Sequence, residues 1–303
     1  MRVFFKIILI LILILFVFSC KKNITDNDSK YIKPIEPVQW YENPTWSPDG
    51  QWIAFTYNKT VPESVFFVSP DGKDLHPVVR GGCPNFSPDG KKLLVVINSQ
   101  IFVYDLSTKT IKQLTFKAEN YFPDWSPDSR RIAYDSDYGN HHGPYVIWLM
   151  NPDGSGKKNI SIHAIGGWRF PVWLPDYRIL HSRYTNGLQI FIMDSTGCCE
   201  KQLTFDKSNS YPKISPDGNK IVWERWDLHS NIDIFIMNVD GSEKEILVKN
   251  GRQPDWHPDG KKIVYWKLGE FKPRGPWDDN DPKVHGSLWI YDLEKDEHYK
   301  VLP

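Results

Sequence analysis

The stretch PTWSPDGQWIAF, residues 44–55, returns as PNFSPDGKKLLV from Pro84, PDWSPDSRRIAY from Pro123, PVWLPDYRILH from Pro171, PKISPDGNKIVW from Pro212 and PDWHPDGKKIVY from Pro254. The leading prolines are 40, 39, 48, 41 and 42 residues apart. A near-fixed period of this size marks an array in which each unit buries its apolar faces only against its neighbours. Each copy alternates with a period of two, which means strands. In the fifth copy YPKIS is strand one, NKIVWER strand two, DIFIMNV strand three and EKEILV strand four, joined by the turn-forming PDG and DG. Four antiparallel strands per period predict a propeller blade, and six copies predict an all-β, six-bladed β-propeller. Apolar second strands such as KIVYW suit a sheet covered on both faces. Trp46, Phe86, Trp125, Trp173 and Trp256 occupy one position of strand one and are expected as wedges between blades.

The first nineteen residues stand apart from this array. MRVFFKIILILILILFVFS carries two early positive charges and then an unbroken apolar run, the pattern of a secretion signal. Ser19-Cys20 followed by KKNITDNDSK resembles a bacterial lipoprotein junction, which implies lipidation at Cys20. The expected organisation is a signal peptide over 1–19, a lipidated polar tether over 20–39 and the propeller over 40–303. Loss of Arg2 and Lys6 with the signal leaves 35 basic side chains against 37 acidic ones. That balance offers no electrostatic footprint for nucleic acid. Cys83, Cys198 and Cys199 are too few for a disulfide framework and lack zinc-finger spacing, and the vicinal pair falls at a predicted hairpin turn.

The pattern P-x-W-S-P-D-G-K-x-I-x-Y, followed by I-F-I-M-D/N-x-D-G and K-Q-L-T, is similar to the repeat of TolB-like six-bladed propellers, which also occurs in propeller domains of the prolyl oligopeptidase class. The resemblance covers about residues 40–303 and implies a lipoprotein propeller without the additional N-terminal α/β domain of TolB. Members of the repeat family scaffold protein complexes, and a related propeller serves oligogalacturonate lyases as a metal-dependent enzyme.

Strand direction alternates, so the turns between strands one and two and between three and four share one face, while the other connections share the opposite face. The first set is the uniform SPDG and DG hairpins; the second varies, from TYNKTVPES to KLGEFKPRGPWDDNDPKVHG. Binding residues concentrate on variable loops of rigid scaffolds. The residues before each repeated proline are expected at the channel mouth on that variable face: Tyr41-Glu42-Asn43, Gly81-Gly82-Cys83, Asn120-Tyr121-Phe122, Trp168-Arg169-Phe170, Asn209-Ser210-Tyr211 and Gly251-Arg252-Gln253. The candidate ligand-binding set is Tyr41, Glu42, Tyr121, Tyr138, Trp168, Arg169, Tyr184, Tyr211, Arg225, Trp226, Arg252, Arg274 and Trp277, because Tyr, Trp and Arg combine contact area with directional hydrogen bonds.

Motifs for other chemistry are absent or incomplete. NPDGSGKKN at 151–159 lacks the full phosphate-loop spacing, and no G-x-S-x-G elbow or H-E-x-x-H occurs. The acidic WDDNDP at 277–282 lacks the glycine and terminal glutamate of a calcium loop. Imidazoles at His141, His142, His229 and His285 carry the alternative of a metal-dependent enzyme acting on an acidic polysaccharide, whereas His257 belongs to the uniform face and His181 to a strand interior. The main expectation is a non-catalytic, lipid-anchored propeller of the bacterial cell envelope, with no cofactor and no metal. Its expected partner is an envelope protein or peptide, with a glycan as a second ligand class that the same aromatics admit.

Overall fold

In the computed structural model the described residues are 41–57, 63–139, 144–161, 167–227, 232–268 and 286–302. They form six four-stranded antiparallel sheets, each made of four strands consecutive in sequence. The blades span 41–80, 82–113, 120–159, 168–202, 208–248 and 251–302. The fold is the expected six-bladed propeller, and in blade five the strands Ser208–Ile214, Lys220–Trp226, Ile232–Asn238 and Glu245–Val248 follow the expected segments.

The repeated turn has a defined chemistry. Ser47, Ser87, Ser126 and Ser215 each donate to the aspartate two residues on, at 2.5–2.7 Å. The same hydroxyl oxygen accepts the backbone N–H that opens strand two, from Trp52, Lys92, Arg131 and Lys220. His257 substitutes for this serine in blade six and keeps the contact through Nδ1, 2.7 Å from Asp259 Oδ1.

Apolar residues of facing blades form shared cores. Strand two is buried almost throughout, as in Ile53–Tyr57 and Ile132–Ser136, because neighbouring blades cover both of its faces. The wedge positions Trp46, Phe86, Trp125, Trp173 and Trp256 are all at most 9% exposed.

Blades six and one close the ring by packing. Trp46, Ile53, Phe55 and Val68 share one core with Val264, Trp266, Leu288, Ile290, Val301 and Leu302. The Trp46 N–H donates to Asp255 Oδ2 at 3.1 Å, and Gly72 in the blade-one turn lies against the Val301 carbonyl with no room for a Cβ. No strand is exchanged between these blades among the described residues.

Candidate functional site

The channel is built by a bulge repeated six times. In every blade the register between strands one and two slips across the residue pair that ends in the repeated proline, as between Glu42 and Thr45 or between Arg169 and Val172. Proline has no N–H for the ladder, so an inner strand tolerates it only where a bulge removes that need. The residue before each proline takes a left-handed backbone: φ is 52° at Asn43, 51° at Cys83, 49° at Phe122, 58° at Phe170, 50° at Tyr211 and 49° at Gln253. Such angles are uncommon for large side chains, and their recurrence shows that the bulge imposes them. These six residues line one cavity on the channel together with the six prolines.

The bulge also frees amide groups that need partners. Several are satisfied by polar side chains of the preceding blade. Thr56 Oγ1 accepts the Cys83 N–H at 3.0 Å, Glu224 Oε2 accepts the Gln253 N–H at 3.2 Å, and Gln253 Oε1 accepts the Asn43 N–H at 2.8 Å. Asp135 accepts the Phe170 N–H in the same way. Buried Asp135 and Glu224 are thereby explained as links between blades.

Both central arginines join those links. Arg169 Nε lies 2.7 Å from Asp135 Oδ2, and Arg252 Nε lies 3.5 Å from Glu224 Oε2, each reaching back one blade. The Arg169 guanidinium also sits over the Tyr145 ring at 4.2 Å, and that of Arg252 over Trp226 at 5.0 Å. Burial pushes Asp135 up to about 6 even though the Arg169 charge opposes it. The Arg169 guanidinium is hydrogen-bonded to a carboxylate of its own chain, whereas Arg252 makes a longer ion pair with no hydrogen bond from Nε.

Among the described residues, Glu42 and Glu63 at this mouth have no ion pair. They line a pocket with Asn43, Gly82, Cys83, Asn98, Ser99, Tyr121, Phe122, Arg169 and Tyr211. Burial raises the Glu42 pKa, with Arg252 opposing, and burial followed by the Glu42 charge raises that of Glu63. Facing them, Phe122, Phe170 and Tyr211 form an aromatic cluster with centroid separations of 4.0–5.5 Å. Tyr121 hydrogen-bonds Ser99 Oγ at 2.6 Å.

At the other end of the channel the residues after each proline include Asn85, Asp124, Lys213 and Asp255. Asp124 accepts from Asn85 Nδ2 at 2.8 Å and from the Trp173 N–H at 2.7 Å. Burial pushes its carboxyl up to about 6, with the Lys213 charge opposing.

Glu42, Tyr121, Arg169, Tyr211 and Arg252 are thus brought to the channel mouth, and Trp226 joins Arg252 there, donating from its indole to Glu224 at 2.9 Å. Tyr41 begins the first strand. Trp168 lies inside its blade, 4% exposed and stacked on buried His181 at 4.4 Å. Arg225 pairs with Asp206 at 3.2 Å. Tyr184 is exposed at a strand end, and Tyr138 packs edge-on against Trp148 beside a separate side cavity with Phe116 and Tyr134. Cys20, Arg274, Trp277, His141, His142, His229 and His285 lie outside the described residues.

Glu63, Asp135 and Glu224 were not in the candidate set. Glu63 sits in the variable segment TYNKTVPES, and the other two are carboxylates that follow the apolar runs IAY and IVW of second strands, which is the signal that marks them.

A model of the TolB β-propeller domain matches residues 43–225, more than half of the chain. The chain belongs to the TolB β-propeller family. An uncharacterised protein of Agrobacterium fabrum is 24% identical over 249 residues, covering 74% of this chain and 84% of its own length. The Tol-Pal system protein TolB of Francisella tularensis is 25% identical over 236 residues, 71% of this chain and 54% of that protein. The chain therefore spans about half the length of the curated TolB proteins it matches. The crystal structure of TolB from Acinetobacter baumannii superposes with a TM-score of 0.66 at 20% identity over 87% of this chain and 63% of that one, a likeness of fold.

Proposed function

We propose that this TolB-family propeller is a non-catalytic binding module of the bacterial cell envelope, anchored through a lipid on Cys20, that takes a protein or peptide partner at the variable-loop mouth of its channel. The partner presents a basic group there, a lysine, an arginine or a chain's amino terminus. One observation supports this reading: Arg169 and Arg252 pair with Asp135 and Glu224, whereas Glu42 and Glu63 line the opening without an ion pair among the described residues. Burial raises the pKa of both, the Glu42 charge adding to the effect at Glu63, and an incoming cation relieves that cost. The aromatic cluster opposite supplies apolar contact for the partner's flanking residues. Family membership and relatives named as Tol-Pal system proteins support an envelope partner over a small-molecule substrate.

A partner captured from cross-linked envelopes provides the titrant. The double variant Glu42→Gln, Glu63→Gln should bind it more weakly by about 1–3 kcal/mol. The control pair Lys91→Ala, Lys261→Ala on the uniform face should change binding by less than roughly 0.5 kcal/mol. A partner lost through the lysines and kept by the glutamine variant would place the site on the other face. Anchoring is tested apart from binding: Cys20→Ala should abolish incorporation of labelled fatty acid, and label persisting in that variant would refute lipidation at this residue.

A further inference from the structure

The hairpin between strands three and four has the same frame in blades three, four and five, and blade four fills it with different chemistry. In blade three the Asn151 N–H donates to the Ser155 carbonyl at 2.8 Å, and Asn151 Nδ2 donates to Ser155 Oγ at 2.9 Å. In blade five Asn238 and Ser242 repeat both contacts, at 3.0 Å and 2.8 Å. In blade four the equivalent residues are Asp194 and Cys198: the Asp194 N–H donates to the Cys198 carbonyl at 3.1 Å, and Cys198 Sγ donates to Asp194 Oδ2 at 2.9 Å. A neutral amide and hydroxyl satisfy this turn twice over in the same molecule. The carboxylate and thiol in blade four are therefore not required by the turn, and a second thiol, Cys199, follows directly.

The three donors converge. One ligand atom from each of Asp194, Cys198 and Cys199 falls within 4.8 Å of the others, the only such three-residue group among the described residues. Cys198 Sγ and Cys199 Sγ are 3.7 Å apart. A tetrahedral centre with metal–sulfur bonds of about 2.3 Å sets two sulfurs roughly 3.8 Å apart, so the thiols already hold the edge such an ion needs. The carboxylate is divided between two tasks. Asp194 Oδ1 accepts from the Thr196 N–H, the Thr196 hydroxyl and the Cys198 N–H, which fixes the side chain, and Oδ2 faces the sulfur. The turn is held in place because Gly197, at φ 92°, lies against the Ile160 carbonyl of blade three with no room for a Cβ. Both thiols are exposed to solvent, so an ion has access.

We propose that Asp194, Cys198 and Cys199 form a site for a thiophilic divalent cation, zinc or cadmium, on the uniform face of the propeller, with water as the fourth ligand. Each thiol gives its proton to solvent as the cation binds, and the two thiolates and one carboxylate become its ligands. The site lies in the blade-four turn, away from the channel mouth formed by Glu42 and Glu63.

Titrating the full mature chain, reduced and stripped of metal, with cadmium tests the proposal through the thiolate-to-metal charge-transfer absorption. Saturation is expected at one equivalent with release of protons. C198S and C199S should each weaken binding by roughly tenfold or more, and D194N by less, while C83S should bind as the parent does. D194N and C198S keep the fold, because Asn151, Asn238, Ser155 and Ser242 already occupy these places in the sister blades, and C199S changes only an exposed side chain. No charge-transfer band at equimolar cadmium, or an unchanged titration in the C198S/C199S double variant, would overturn the site. Isolation from cells with Cys198 and Cys199 joined as a disulfide that excludes metal would overturn it equally.

Discussion

The two halves of the channel ring share one backbone and differ in what it displays. In blades three, four and five the left-handed pre-proline positions carry Phe122, Phe170 and Tyr211, which pack on one another. In blades six, one and two they carry Gln253, Asn43 and Cys83, tied by the Asn43 N–H to Gln253 and by Asn43 Nδ2 donating to Cys83 Sγ at 3.6 Å. The bulge fixes where the six side chains point and leaves their chemistry free. A ring of equivalent positions thus becomes a two-sided surface, apolar on one side and polar with two acids behind it on the other.

The polar half contains the seam between blades six and one, so breaking the seam should have the largest effect. Deleting residues 298–303 removes most of the last strand, takes Val301 and Leu302 out of the core shared by blades six and one, and takes away the carbonyl against which Gly72 packs. The expected loss is on the order of 5 kcal/mol, read as failure to fold or a collapsed denaturation midpoint. Unchanged stability would mean that the polar half does not depend on this strand. Next in size, Phe170→Ala should cost about 2–3 kcal/mol in chemical denaturation, since its half-buried ring touches both neighbours in the aromatic half. Asn43→Ala in the polar half should cost only about 1 kcal/mol, because the Asn43 N–H bond to Gln253 survives it. Equal costs would show that the halves are mechanically alike.

The pH dependence sets blade three, in the aromatic half, apart from the polar half. Asp124 and Asp135, both in blade three, titrate at about 6 in the folded chain against about 3.9 for a free aspartate. The folded state then keeps protons that the unfolded chain has already released. This contribution is complete below about pH 4 and is lost as the pH rises through about 6, so stability should fall across that interval by up to roughly 3 kcal/mol per group. Asp124→Asn should flatten its share of the slope whatever it does to stability at one pH. A slope of the opposite sign would show that Lys213 and the hydrogen bonds outweigh burial at Asp124.

The sequence by itself determined the repeat, the alternation and the turn chemistry. From these follow six blades, buried strand-two segments, and the trade of Ser for His257 within one conserved turn contact. Such features are legible because their causes are local: proline removes an amide from the ladder, and a serine and an aspartate two residues apart bond each other wherever the turn occurs. The pre-proline residues could be assigned to the channel for the same reason. Tertiary structure alone decided which charges stay available. Arg169 finds Asp135 thirty-four residues away and Gln253 finds Glu224 twenty-nine away, each in the preceding blade at the height where the bulge frees an amide. That meeting depends on how adjacent sheets pack, a relation that periodicity does not encode. Trp168 and Tyr138 likewise looked equivalent as aromatics of one face, and packing buried the first on His181 while leaving the second 47% exposed.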